Sequence, residues 1–124
     1  MAAPNIISIT TITGKTGYLT PANSNAAVIV ANSANSNAVY KVNTLVAANL
    51  TGNSAVNVSV AINTFANGAG NGFPICSTVS VPGNASVIIV DKENMFYLEE
   101  NKSVVVTSGS ANNIAFTISY EELS

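Results

Sequence analysis

The residues of this 124-residue chain that could do chemistry are few and poorly placed for it. Histidine is absent. The side chain most often used as a general base or metal ligand near neutral pH is therefore missing, and the usual hydrolase triads go with it. Cys76 is the only cysteine, so no internal disulfide can form and a thiol nucleophile would have no imidazole beside it. Flanked by Ile75 and Val79, it reads as a small buried apolar residue. The six carboxylates fall in pairs: Asp91 with Glu93, Glu99 with Glu100, and Glu121 with Glu122. Two carboxylates facing a sugar would suffice for a glycosidase, and Asp91 and Glu93 can share a face. Adjacent residues on a strand cannot. A calcium ion would accept Asp91, Glu93 and Glu99, but an EF-hand pattern started at Asp91 puts Met95 and Phe96 where a ligand and a glycine belong.

Other motifs are weaker still. Gly68-Ala-Gly70-Asn-Gly72 lacks the Lys-Ser/Thr ending of a phosphate loop and reads as a flexible connection. Sequons at Asn49, Asn57, Asn84 and Asn101 are what an Asn-, Ser- and Thr-rich chain contains by chance. Tyr18, Tyr40, Tyr97 and Tyr120 could stack on sugars. A carbohydrate-binding module would show two or three of them exposed and coplanar on one sheet; without tryptophan, core edges with hydroxyls reaching water are the expected places. The expectation is no catalytic, metal or cofactor site, and carboxylates that are solvated turn and terminal charges.

The surroundings point away from several classes of partner. Only 8% of residues are charged and the formal net charge is −2, where an ordinary soluble domain has about 25% charged residues. The basic residues, Lys15, Lys41, Lys92 and Lys102, are scattered. Neither a nucleic-acid footprint nor a polybasic membrane patch is present, and no apolar run approaches the ~18 residues of a membrane span. The opening Met-Ala-Ala-Pro-Asn has no secretory character, which gives synthesis in a cytoplasm as the expectation. Asn, Ser and Thr must keep the surface wet in place of charge. Such a surface associates without first desolvating ions and repels its own copies weakly.

The elements that carry these residues are strands. Apolar positions recur with period two: Val56, Val58, Val60 and Ile62 in one run, Ile114, Phe116, Ile118 and Tyr120 in another, and Ile75 to Val81 in a third. Val28–Val30, Val87–Val90 and Val104–Val106 are continuous β-branched runs, expected to be covered on both faces. The alternation in Tyr40–Ala48 slips near Thr44, which predicts a bulge. Asp91 to Glu100 reads as a turn followed by Phe96–Leu98 in β conformation. Turn clusters are expected at Gly14–Gly17, Pro21–Asn25, Asn32–Asn37, Thr51–Ser54, Asn67–Gly72, Pro82–Asn84 and Gly109–Asn113. The prediction is one all-β domain over residues 1–124, an antiparallel sandwich of jelly-roll or immunoglobulin-like type, with a barrel as the alternative. Residues 1–13 are expected to form an extended arm or edge strand, and Tyr120–Ser124 a second contact segment.

Several stretches carry a resemblance: Ala-Ala-Pro-Asn-Ile-Ile and Ile-Thr-Gly-Lys-Thr near the start, Val-Tyr-Lys-Val-Asn-Thr-Leu in the middle, Ser-Thr-Val-Ser-Val-Pro-Gly-Asn-Ala-Ser, and Tyr-Leu-Glu-Glu-Asn-Lys-Ser leading to Ile-Ser-Tyr-Glu-Glu-Leu-Ser. Together they resemble small virion structural proteins of tailed, cyanophage-type bacteriophages. The resemblance implies a non-enzymatic β-domain of the particle, made in the bacterial host cytoplasm. A capsid decoration or cement role bridging capsomers is the first expectation, and a neck, tail or fibre position the second. Its partners would be its own copies, as a homo-oligomer, and the major capsid protein. Candidate contacts between subunits are Ile6, Ile7, Ile9, Ile12, Tyr120 and Leu123.

Overall fold

The structure, a computed structural model, describes residues 8–124. Nine strands are present there: β1 (Ile12–Leu19), β2 (Ala27–Asn32), β3 (Val39–Asn49), β4 (Val56–Asn63), β5 (Gly72–Val81), β6 (Ser86–Val90), β7 (Phe96–Leu98), β8 (Lys102–Ser108) and β9 (Ile114–Leu123). They pair as a nested ribbon. The first strand meets the last, β1 with β9, then β2 with β8, β3 with β6 and β7, and β4 with β5, all antiparallel. The ribbon is then wound so that β9 also meets β3 and β8 also meets β4. Two sheets result, β1-β9-β3-β6 with β7 collinear beside β3, and β2-β8-β4-β5. With β6 and β7 taken as one interrupted strand, this nesting is the jelly-roll sandwich. No barrel closes and the order is not immunoglobulin-like.

One core fills the space between the sheets. Phe116, Leu45, Leu98, Ile114 and Ile118 are its largest buried side chains, with valines from β3, β4, β5, β6 and β8 around them. The expected bulge in β3 is real: the register against β9 shifts between Val42 and Thr44, which keeps Val42 and Leu45 both on the buried side.

The asparagines have structural work at the turns. Five of the six non-glycine residues at positive φ are Asn35, Asn37, Asn84, Asn101 and Asn112, the left-handed conformation that asparagine tolerates better than other side chains. Two more are buried clamps. Asn32, at the end of β2, donates to the carbonyls of Ala38 (2.9 Å) and Leu98 (3.0 Å) and accepts from Ser36 Oγ. Asn49, at the end of β3, donates to the Ser54 and Val81 carbonyls and accepts from Thr51 N. Each closes a turn whose backbone would otherwise be buried without partners.

Three sequence expectations about the strands fail. Gly14–Gly17 is not a turn but the middle of β1. A Cβ on Gly17 would stand 3.2 Å from Ile118 Cγ2, so glycine here serves close approach of the edge strand to the core. The runs Val87–Val90 and Val28–Val30 are not covered on both faces, since Ile88 is 65% and Val28 37% exposed. The run Val104–Val106 is covered on both, with all three valines buried.

Candidate functional site

The sequence-predicted contact residues do not gather into one patch. Ile6 and Ile7 lie outside the described residues. Ile9 is half-buried and Ile12 is exposed on β1. Leu123 is the register partner of Ile12, yet it is buried within the chain's own fold. Tyr120 stacks on Tyr40 with ring centroids 5.2 Å apart. The Tyr120–Ser124 segment is therefore not a loose tail. It ends β9, a central strand between β1 and β3, and the Ser124 carbonyl accepts from Thr10 N and Thr11 N.

Two ion pairs cross between paired strands. Lys15 Nζ lies 2.7 Å from Glu122 Oε1, across β1 and β9, and Lys41 Nζ lies 3.9 Å from Glu121 Oε1, across β3 and β9. The hydrogen bond from Lys15 to Glu122 and the carboxylate charge raise the lysine above its ordinary pKa. Burial pushes the Tyr40 hydroxyl up, with the Glu122 charge adding to it, and burial also pushes the Cys76 thiol up. Asp91 closes its own turn, its Oδ1 accepting from the backbone N of Glu93 and of Asn94. Among the described residues, no three carboxylates or cysteines come together as metal ligands would.

The aromatic residues do not form a sugar platform. Tyr40 and Tyr120 stack on each other, and the exposed Tyr18 and Tyr97 stand on opposite flanks of one sheet, with β9 and β3 between them. An open groove of about 430 Å³ runs between the β2–β3 and β4–β5 loops, with half-exposed Phe65 on one wall and Asn67, Asn101 and Ser33 as its polar groups.

The surface feature that stands out is the outer face of the β1-β9-β3-β6 sheet. Side chains on a strand alternate between faces, and Phe116, Ile118, Leu45 and Val90 point inward. The register then places Tyr18, Thr117, Val46 and Ile88 in one row across the outer face. The next row is Thr16, Ser119 and Thr44, and beyond it lie Gly14, Glu121, Lys41 and Tyr97. Four of the exposed large side chains of the molecule sit on this face: Ile12 at 63%, Tyr18 at 81%, Ile88 at 65% and Tyr97 at 43% exposure. Its polar hollow, about 270 Å³, is lined by Lys41, Asn43, Lys92, Met95 and Glu121. Sequence reasoning missed Tyr18, Ile88 and Tyr97. The alternation Thr16, Tyr18 was a strand signal, hidden by the two glycines beside it.

No protein-family model and no curated protein matches this chain.

Proposed function

We propose that this protein is a virion structural component of a tailed bacteriophage, a capsid decoration or cement protein that stabilises a shell by bridging its neighbours. The observation that carries this reading is the outer face of the β1-β9-β3-β6 sheet, whose middle no other described segment covers, apolar at its flanks and charged only around the hollow of Lys41, Lys92 and Glu121, on a domain whose core is otherwise complete. A surface of this kind marks a place where another protein sits. The jelly roll supports the reading by analogy, being an architecture of viral capsid domains as well as of lectins, and the sequence resemblance to phage virion proteins points the same way. Such a component acts by packing and requires no catalytic group, cofactor or nucleic acid. Neck, tail or fibre attachment is the variant of this reading in which the same face serves a ring of few copies.

The groove at Phe65 favours one other reading, a glycan-binding module, in which the ring stacks on a sugar and Asn67, Asn101 and Ser33 bond its hydroxyls. Quantitative mass spectrometry of purified virus particles from the source separates these outcomes. Hundreds of copies per particle are expected for decoration of the shell; a few dozen or fewer move the protein to the neck, tail or fibres. Absence from the particle overturns the virion reading, and a glycan array then tests the groove.

A further inference from the structure

We infer that the outer face of the β1-β9-β3-β6 sheet pairs with the same face of a second copy of this chain, forming a closed two-fold dimer in solution. This rests on the proposed assembly role and names the partner of that face.

Self-complementarity is the first reason. A two-fold contact brings one surface against itself, so a face of a single charge sign would repel its own copy. This face carries both signs close together, Lys41 and Lys92 with Glu121 around one hollow, so each copy offers a carboxylate to the other's lysines. The row Thr16, Ser119 and Thr44, with Thr117 beside it, presents hydroxyls, which donate and accept and can satisfy an identical group across the interface. No described group on the face demands a partner of different chemistry.

Area is the second reason. Four strands about 4.8 Å apart span about 19 Å, and the eight residues of β1 run about 27 Å. That gives about 500 Å² of face per copy and about 1,000 Å² for two. The figure is an upper value, because Leu123 and Val39 at the Ile12 end are already buried, and it falls in the range of weak, reversible interfaces, below about 1,200 Å². The monomer therefore folds alone and pairs as concentration rises.

Sedimentation equilibrium on the full purified chain tests this, with Tyr18→Asp/Ile88→Asp as the interface variant and Phe65→Asp as a control of the same chemistry on the β4–β5 loop. The expected result is a weight-average mass rising from 12.6 kDa toward twice that value and no further. Association should weaken at least tenfold in the interface variant and stay unchanged in Phe65→Asp. Thermal melts show that each variant is folded. A wild-type chain monomeric at every concentration, growth beyond the dimer, or association that survives in the interface variant overturns the inference. The copy number in particles is measured separately, so a monomeric chain abundant in virions would refute the dimer and leave the virion reading standing.

Discussion

The two sheets of this sandwich finish their outer faces differently. The β2-β8-β4-β5 sheet is partly roofed by the chain itself, over Val105, while Val28 beside it stays 37% exposed. The β4–β5 loop folds back across the sheet, tied down by Ser103 Oγ donating to the Phe65 carbonyl (2.8 Å), Asn63 Nδ2 to the Gly68 carbonyl (2.7 Å) and Ala66 N to Asn101 Oδ1 (3.3 Å). Val105, which points outward by alternation, is 7% exposed beneath it. The middle of the β1-β9-β3-β6 outer face has no such roof among the described residues: Thr117 there is open, and Tyr18 and Ile88 stand clear on either side, while Leu123 and Val39 at its Ile12 end are buried. Both outer faces carry apolar side chains on similar strands. Where the chain covers one, burial contributes to the stability of the fold; where it does not, the same residue types are left for a partner.

The roof can be broken at a single residue. Gly68 has φ +84°, and a Cβ there would stand 2.8 Å from Val28 Cγ2 and 3.7 Å from Val105 Cγ2. Gly68→Val adds left-handed strain to a clash against the sheet, and should cost about 2–4 kcal/mol in urea unfolding while raising the binding of a hydrophobic dye. Unchanged stability would mean that the loop is not a structural cover.

A smaller effect sharpens the comparison by making one change on both faces. Val105→Ser removes buried apolar surface and places a hydroxyl under the loop, for about 2 kcal/mol. Ile88→Ser on the open face should stay within about 0.5 kcal/mol of the parent at concentrations where the chain is monomeric. Equal losses at the two sites would show that Ile88 is already covered by its own chain.

The strands were legible because half-buried strands write themselves with period two. Val58, Val60, Phe116 and Ile118 announce which side is core, and the slip at Thr44 locates a bulge from pattern alone. Val104–Val106 even foretold cover on both faces. The similar runs Val28–Val30 and Val87–Val90 did not behave the same way, because cover on the second face depends on where a distant loop lands, and no local pattern encodes that. Pairing was equally hidden. Lys15 finds Glu122 across 107 positions, a closure set by winding the whole ribbon. That is why Tyr120 and Leu123, terminal in sequence and apparently available, are interior to a sheet, whereas Tyr18, lying amid glycines that read as a turn, is among the most exposed side chains. The candidate face was therefore unreadable even where each of its strands was readable.

The smallest effect expected is on pH dependence, and it concerns the space between the two sheets. The three resolved shifts have one sign: Lys15 is raised above 10.5, chiefly by the Glu122 hydrogen bond, Tyr40 above 10.0, chiefly by burial, and Cys76 above 9.0, also by burial. A group whose pKa is higher folded than unfolded contributes its stability in full below the unfolded value and loses it as pH rises through the folded one. Stability from these groups should therefore be complete at neutral pH and decline on the alkaline side. The lysine is solvent-exposed, so its part amounts to a few tenths of a kcal/mol and shrinks with salt. Cys76→Ala/Tyr40→Phe should flatten the decline above about pH 9 relative to the parent in parallel urea titrations, and Lys15→Met should remove only the salt-sensitive remainder. If the double variant and the parent fall together, the alkaline loss comes from elsewhere, and the half-buried thiol and phenol between the sheets are not what limits the fold.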